Sequence, residues 1–254
     1  MLKEERYERI LELLDESQYL SAQQLSRQLF VSLPTIRRDL AELQQRKQII
    51  RSHGGAKKIH SEHIVAPLDF RKTVNAVEKR ALCSKAAELV QDNQILFIDA
   101  STTTLQMAHF LEEKKNITVI TNGIALATLL VKKGIRTYCT GGEIFENSMA
   151  HFGSFAEDFI RRFNIDILFF SCHGVNEMGM LTDPSLPETQ IRRVAIGQAK
   201  KTVFLCDKTK INLSTPYNLV PVQSLDCIIT DAEDVAARFS IDESTEILIV
   251  HKEG

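Results

Sequence analysis

The first sixty residues place apolar side chains at the spacing of amphipathic helices. Residues 3–15 set leucine and isoleucine among charged residues, which predicts a first helix. A second helix is predicted from Ser21, because Gln24 completes an S-x-x-Q capping box three residues later. A third is predicted from Ser32, which we expect to cap it, with Pro34 in the first turn where a missing N–H costs nothing.

The third predicted helix carries two different faces. Ile36, Leu40 and Leu43 are spaced by four and three residues and form one buried stripe. The other side presents Thr35, Arg37 and Arg38. A helix of this kind fits the major groove of DNA, where arginine pairs with guanine or holds phosphate. The pattern indicates a helix-turn-helix; a generic three-helix bundle is the alternative.

A short hairpin is predicted directly after the third helix. Gly54 and Gly55 separate two β-like runs, 49–52 and 56–59. Arg51, Lys57 and Lys58 lie around this turn, where they are suited to hold phosphate rather than read bases. Residues 1–59 are therefore expected to form a winged helix-turn-helix, followed by a mixed, polar linker over residues 60–75.

From residue 76 onward, short apolar runs alternate with helical stretches. Strands are predicted at 95–99, 117–121, 135–140, 165–171, 202–207, 226–230 and 246–250. Helices are predicted near 76–90, 102–113, 123–132, 154–162, 187–199 and 232–238. Strands that alternate with helices are typical of βαβ units and of a mainly parallel sheet covered on both faces. The expected fold class is α/β, with a second domain over residues 76–254.

Composition agrees with a globular protein that has a real core. The chain of 254 residues is 44% hydrophobic and 25% charged, which argues against disorder. Its longest nearly apolar run, 124–131, is too short to span a bilayer, and the N-terminus lacks an apolar signal core, so we expect a cytoplasmic protein without membrane contact. Five widely spaced cysteines without a C-x-x-C pair indicate free, mostly buried thiols. We expect neither a metal nor a cofactor.

The small net charge of −2 hides an asymmetry. Residues 1–60 carry 11 Lys and Arg against 8 Asp and Glu, whereas the remainder carries 20 against 25. Within residues 34–60 the ratio rises to 7 basic against 2 acidic residues. A short basic module on an acidic body is expected when one end touches a polyanion; a solvated charged surface is the alternative.

Polar residues follow several of the predicted strands. The first strand ends in Asp99 and continues into Ser101, Thr102, Thr103 and Thr104 ahead of a helix. Hydroxyls and free N–H groups at such a point can bind an anion such as phosphate, and ligands of parallel α/β folds bind beyond the carboxyl ends of the strands. The plainer interpretation of each hydroxyl is a helix cap, and that of Gly141-Gly142 is a turn.

The motifs of the N-terminal module resemble the DeoR family of bacterial transcriptional regulators. The family pattern T-[IV]-R-R-D-L is matched by residues 35–40, and R-x-H-G-G-A by residues 51–56. In the second domain the resemblance continues with D-x-[GS]-[ST]-T at 99–103, T-N at 121–122, G-G at 141–142 and D-x-[ST]-K at 207–210. Ser101 stands where glycine is more usual, and Arg46 and Lys47 occupy a turn that often contains glycine.

This resemblance implies a sensor domain similar to ribose-5-phosphate isomerase and glucosamine-6-phosphate deaminase. It implies a repressor of carbohydrate catabolism that assembles as a homodimer or homotetramer and binds double-stranded operator DNA and a phosphorylated sugar effector. The DNA contacts expected are Ser21, Ser32, Thr35, Arg37, Arg38, Arg51, His53, Lys57 and Lys58. The effector contacts expected are Asp99, Ser101, Thr102, Thr103, Thr104, Thr121, Asn122, Gly141, Gly142, Gly174, Glu188 and Lys210. The alternative is an isomerase or deaminase with an added DNA-binding domain, in which Glu188, Asp183 and Lys210 would converge for acid–base catalysis.

Overall fold

The chain divides into two compact units: unit 1 contains residues 1–64 and unit 2 contains residues 65–254. A computed structural model describes residues 2–17, 19–46, 48–52, 54–58 and 68–251. Among these residues no helix combines the length and the apolar character needed to cross a membrane. All five cysteines are free; Cys139 is half-buried and the other four are buried, as the spacing of the cysteines predicted.

Unit 1 contains three helices and a small antiparallel sheet in its described residues. The elements are α1 (Lys3–Ser17), β1 (Leu20–Ser21), α2 (Ala22–Leu29), α3 (Leu33–Gln45), β2 (Ile49–Ser52) and β3 (Gly55–Lys58). Strand β3 lies between β1 and β2 and pairs antiparallel with both. The three predicted helices and the predicted hairpin are confirmed.

The core of unit 1 is built from the apolar faces of all three helices. Ile36, Leu40 and Leu43 of α3 are fully buried in it, as their spacing predicted. Ser21 and Gln24 form the predicted capping box at the start of α2. The prediction for Ser32 was wrong in one respect: its side chain caps no backbone N–H of α3. Its hydroxyl bonds instead to the Thr35 hydroxyl, 2.8 Å away.

A partly buried ion pair joins α1 to α3. Asp39 is only 2% exposed, and Arg6 donates to both of its carboxylate oxygens, from Nε at 2.6 Å and from Nη2 at 3.0 Å. The pair lies on the inner side of α3, next to the buried leucines. Since Arg6 and Asp39 are 33 residues apart, the pairing is not visible in the local pattern of the sequence.

Unit 2 is organised around a parallel sheet. Its strands are β4 (Ile95–Ile98), β5 (Thr118–Thr121), β6 (Arg136–Cys139), β7 (Glu143–Phe145), β8 (Ala150–Phe152), β9 (Ile165–Phe170), β10 (Gly174–Val175), β11 (Met180–Asp183), β12 (Ala199–Cys206), β13 (Tyr217–Pro221), β14 (Cys227–Thr230) and β15 (Glu246–Ile249). Seven of them form one sheet in the order β15-β14-β12-β9-β4-β5-β6, with every neighbouring pair parallel. These seven are the seven predicted strands, so the predicted α/β class with a mainly parallel sheet is confirmed.

Helices cover both faces of this sheet. The α-helices are α4 (Leu68–Thr73), α5 (Ala76–Glu88), α6 (Ile124–Lys132), α7 (Ser154–Ile160), α8 (Leu186–Gln198) and α9 (Val235–Arg238). Successive strand residues enter opposite cores: Phe97 packs in the core with α7 and α8, whereas Leu96 and Ile98 pack in the core with α5 and α6. Burial on both faces explains why these strands are continuous apolar runs.

Two predictions about helices need correction. Residues 102–113 were predicted to be helical, but the structure has a 3₁₀ helix, Thr104–His109. The Thr104 hydroxyl bonds to Asp99 and to the Ser101 carbonyl, and such local bonds compete with α-helical ones. The stretch 60–75, interpreted as a linker without periodicity, contains α4.

Short antiparallel elements in unit 2 were not predicted. Strands β7 and β8 form a hairpin, and β10, β11 and β13 form a three-stranded sheet. These strands are two to five residues long, which is too short for a pattern of period two to reveal them.

Removing the buried carboxylate should destabilise unit 1. Asp39→Ala leaves the half-buried Arg6 guanidinium without its partner, and we expect unit 1 to lose roughly 2 kcal/mol of unfolding free energy. Hydrogen–deuterium exchange of the full chain should then accelerate in α1 and α3 but not in unit 2. Glu12→Ala, which breaks the exposed pair with Arg9, is the matched control. Equal protection in both variants would contradict a structural role for the pair.

Candidate functional site

The outer face of α3 is polar and basic. Arg37 and Arg38 are exposed and Thr35 is half-buried, opposite the buried stripe of the same helix. Arg51 of β2 is half-buried. Among the described residues none of these three arginines forms an ion pair, so their charges face solvent. This arrangement is suited to a polyanion.

A cleft of about 310 Å³ brings part of this face together. Ser21 at the start of α2, Arg37 of α3 and Arg51 of β2 line it, together with Gly54 and Gly55 of the hairpin. The Ser21 hydroxyl is already used, because it accepts the Gln24 N–H at 3.1 Å. His53 and the side chains of Lys57 and Lys58, which were also predicted to contact DNA, lie outside the described residues.

The basic character of residues 34–60 is weaker than the count of charges suggested. Arg46 was counted as a basic residue, but Glu4 and Glu42 both bind it, and its guanidinium lies 4.9 Å from the ring centre of Tyr7. Lys3 also binds Glu42, and the pKa of Glu42 is lowered to about 2 by its hydrogen bond with Lys3. These charges therefore hold α1 against α3.

In unit 2 the loop after β4 is tied by its own side chains. The Asp99 carboxylate accepts the Ser101 N–H at 3.1 Å and the Thr104 hydroxyl at 2.8 Å. Ser101 Oγ accepts the Thr104 N–H at 3.1 Å. Ser101 and Thr104 therefore have a local structural role, and their assignment to the effector stays a prediction. These bonds fix the position of Thr102 and Thr103, which lie between Ser101 and Thr104 in the chain.

The hydroxyls of Thr102 and Thr103 accept hydrogen bonds from two lysines. Lys79 of α5 donates to Thr102 Oγ1 at 3.1 Å, and Lys210, from the loop after β12, donates to Thr103 Oγ1 at 3.2 Å. Lys210 also donates to Ser171 Oγ, at the end of β9, at 2.6 Å. The predicted convergence of Lys210 with the threonine loop is therefore found, and a second ammonium group stands beside it.

Lys79 was not predicted as a site residue. It is 5% exposed, and its second hydrogen bond goes to the Arg71 carbonyl of α4 at 2.6 Å. Within the described residues both of its partners are neutral oxygens. Burial, and then the charge of Lys210, lower the pKa of Lys79 to about 8. A buried ammonium group without a carboxylate partner favours an anion nearby.

Arg192 of α8 forms ion pairs with three acidic residues of the site. It bonds to Asp99 at 3.0 Å and Asp183 at 2.7 Å, with Glu188 at 3.5 Å. Burial raises the pKa of Asp183 to about 6. Glu188 is thus held by a cation of its own helix. No group of three or more His, Cys, Asp or Glu side chains in the described ranges is arranged to hold a metal.

A small cavity lies between Arg192 and α4. Asp99, Asn122, Glu188 and Arg192 line it, and Arg71 of α4 closes one side. Its volume of about 10 Å³ is the space of one water molecule. Asn122 Nδ2 donates to the His151 carbonyl at 3.2 Å, but Asn122 Oδ1 is buried and has no hydrogen-bond partner in the described chain. An unpaired buried oxygen is costly and leaves a position for a donor.

Helix α4 and the turn of the β7–β8 hairpin cover this region. Arg71 Nη2 donates to the Asn147 carbonyl at 3.4 Å, and burial lowers the pKa of Arg71. Leu68 of α4 and Met149 of the hairpin line a second space of about 10 Å³ next to Ser101. Sites for small molecules usually offer some 300–1,000 Å³, so this structure shows the region closed.

The predicted glycines do not join this group. Gly141 and Gly142 line a separate, open cleft of about 800 Å³, and a Cβ at Gly142 would lie 2.5 Å from the Phe152 carbonyl oxygen. A Cβ at Gly174 would clash with the backbone of Leu213. The Thr121 hydroxyl accepts the Gly123 N–H at 3.0 Å. Close backbone packing accounts for both Gly142 and Gly174, and their assignment to the effector stays a prediction.

Two family models match the chain. One describes a DeoR-like helix-turn-helix domain over residues 6–62, and the other a DeoR C-terminal sensor domain over residues 74–232. Among solved structures, ribose 5-phosphate isomerase A from Methanocaldococcus jannaschii matches with a TM-score of 0.41 and 17% identity, over 54% of this chain and 55% of that one.

Three relatives are similar over most of their length. The HTH-type transcriptional regulator GolR of Listeria innocua is 34% identical, over 89% of this chain and 90% of its own. The HTH-type transcriptional regulator GlpR of Haloferax volcanii is 33% identical, over 98% of each chain. The glycerol-3-phosphate regulon repressor of Escherichia coli is 31% identical, over 91% of this chain and 92% of its own.

The buried ammonium group should make stability depend on pH. The pKa of Lys79 falls from 10.5 to about 8 on folding, so its contribution to stability is present above pH 10.5 and is lost as pH falls through 8. The unfolding free energy of the wild type minus that of Lys79→Met should therefore be larger at pH 10 than at pH 7, by roughly 2 to 3 kcal/mol. Denaturant unfolding in phosphate-free buffer measures it. Lys85→Met, on the same helix, should show no such trend. If the difference in unfolding free energy between the wild type and Lys79→Met does not change with pH, burial does not lower the pKa of Lys79.

Proposed function

We propose that this chain, which belongs to the DeoR family of transcriptional regulators, is a repressor whose binding to operator DNA is controlled by a phosphorylated sugar or polyol. Membership of the family supports the DNA-binding and regulatory parts of this proposal. The arrangement of Lys79 and Lys210 on the hydroxyls of Thr102 and Thr103 is the observation that supports an anionic effector.

Unit 1 is proposed to read the operator with α3. Its exposed residues Thr35, Arg37 and Arg38 would face base edges, where arginine pairs bidentately with guanine. Arg51 and the hairpin would hold phosphates beside the same groove. Two-fold operators require two copies of such a unit, which supports the homodimer or homotetramer expected from the family.

The effector is proposed to bind at the closed region between α4 and the loop after β4. A phosphate there would give Lys79 the negative charge that its neutral partners lack, and would add to the carboxylate of Asp207, which lies 4.0 Å from the ammonium group of Lys210. The interaction is strong at a point with low solvent exposure. A hydroxyl of the sugar would donate to the unpaired oxygen of Asn122. Glu188, which faces the same cavity, would accept from another hydroxyl.

Control of DNA binding is proposed to run through α4. Lys79 binds the Arg71 carbonyl and Thr102 with the same ammonium group, so an anion that draws Lys79 toward the loop weakens its hold on α4. Because the cavity holds only one water, entry of a sugar phosphate also requires α4 or the hairpin to move. Residues 60–75 include α4 and lead back to unit 1, which makes them the route by which the ligand biases two states with different operator affinity.

The catalytic alternative has less support in the geometry. An isomerase or deaminase needs an acid–base group free to reach the substrate. Asp183 and Glu188 are instead ion-paired with Arg192, while Lys210 bonds to Thr103 and Ser171. Turnover of ribose 5-phosphate or glucosamine 6-phosphate by the purified protein would overturn this choice.

Replacing Arg38 should weaken operator binding without affecting the effector. A duplex recovered from a random library by binding to the full-length protein serves as the operator. Loss of one arginine–base contact should reduce affinity about tenfold or more. Arg161→Ala, which removes the same charge from unit 2, is the matched control and should leave affinity unchanged. Intact binding by Arg38→Ala would remove this residue from the interface.

Replacing Lys210 should abolish the response to the effector and spare DNA binding. A thermal-shift screen with sugar and polyol phosphates, glycerol 3-phosphate among them, and with the dephosphorylated compounds identifies the ligand. At about one hundred times its dissociation constant a ligand adds roughly 2.7 kcal/mol, which raises the midpoint of thermal unfolding by about 5 to 10 °C. Lys210→Met should lose this shift, whereas Lys208→Met, on the exposed side of the same turn, should keep it. A ligand shift that survives in Lys210→Met would place the anion elsewhere.

A further inference from the structure

Phe30 combines two features that stability alone does not favour. It is 95% exposed, so its ring gains nothing from burial. Its backbone is left-handed, with φ 54° and ψ 38°, a conformation that disfavours any residue with a Cβ and that glycine usually occupies after a helix. A bulky aromatic residue kept in such a place points to a role outside the folding of unit 1.

The turn that carries Phe30 is well fixed. The N–H of Phe30 donates to the Ser26 carbonyl, and the N–H of Val31 donates to the same oxygen at 3.1 Å. Ser26 Oγ donates in return to the Val31 carbonyl at 2.6 Å. Three hydrogen bonds to one residue of α2 therefore set the path of the backbone, and with it the direction in which the Phe30 side chain leaves the turn.

The surroundings of Phe30 resemble a nucleic-acid surface more than a protein-docking patch. It stands two residues before Ser32, the residue that precedes α3, and the start of such a helix is the part that contacts base edges. Arg27 and Arg37 are exposed on either side of it in the chain. The other large apolar side chains exposed in the described part of unit 1, Leu2 and Ile50, belong to other elements. A docking face would be a contiguous apolar patch.

We propose that Phe30 contacts operator DNA, packing its ring on the methyl group of a thymine next to the bases that α3 reads. The thymine methyl is the apolar group that base edges present in the major groove, and phenylalanine is among the side chains that pack on it. The inference rests on the proposed DNA-binding function of unit 1. It adds a specificity-determining residue that reads shape and methyl position rather than hydrogen bonds.

Two substitutions separate this role from a structural one. Phe30→Gly and Phe30→Asn both tolerate the left-handed backbone, so each should leave the midpoint of thermal unfolding unchanged or raise it. Both should weaken binding to the selected duplex about tenfold, the scale of one specific base contact. The salt dependence of binding should keep its slope, because no phosphate contact is lost. The asparagine variant excludes an effect of glycine flexibility.

A scan of the duplex locates the contact. Each thymine is replaced in turn by uracil, which removes only the methyl group, and affinity is measured for the wild type and for Phe30→Asn. We expect a thymine at which uracil weakens binding by the wild type and leaves binding by Phe30→Asn unchanged. The proposal is overturned if the variants bind like the wild type, if no thymine behaves in this way, or if sedimentation shows that Phe30→Asn changes the oligomeric state. Failure of the wild type to select any duplex would instead overturn DNA binding itself, and this inference with it.

Discussion

Burial of the central strands on both faces is the constraint from which the rest of unit 2 follows. Strands β4, β5, β9 and β12 have mostly apolar side chains on both faces, and a buried polar group follows the last residue of several of them. Asp99, Ser171 and Asp207 each follow one of these strands. Carboxylates buried at this edge of the sheet need a cation or a hydrogen-bond donor close by. Helix α8 supplies Arg192 for Asp99, and Lys210 lies 4.0 Å from Asp207. Helix α5 supplies Lys79, whose bonds go to neutral oxygens.

The seven strands and the helix-turn-helix were predictable because their signals are local and strong. A strand buried on both faces is a continuous apolar run, and Ile36, Leu40 and Leu43 mark one face of α3 without reference to other elements. The loop of Thr102 and Thr103 and its partner Lys210 were predictable for a related reason. Carboxyl ends of parallel strands meet at one edge, so residues that follow them in sequence meet in space.

The unpredicted parts depend on contacts between distant residues. Lys79 lies in a helix of lysines, glutamates and alanines, where nothing in the local pattern separates a buried lysine from an exposed one. Arg71 belongs to a helix of six residues, too short to show a period. Gly141 and Gly142 line a cleft other than the cavity beside Asn122, and their assignment to the effector stays a prediction. Beside Asn122 packs the β7–β8 hairpin, where the His151 N–H donates to the Asn122 carbonyl at 2.8 Å, and no local pattern shows this contact.

The closed cavity under α4 has a kinetic consequence. A molecule larger than water reaches Asn122 and Arg192 only while α4 or the hairpin is displaced, so the rate of that displacement sets an upper limit on association, however concentrated the ligand. The resting population matters as well. If about one molecule in a hundred is open, the apparent dissociation constant is about a hundredfold weaker than the intrinsic one. Sequence changes in α4 that touch no ligand would then retune the concentration at which the protein responds.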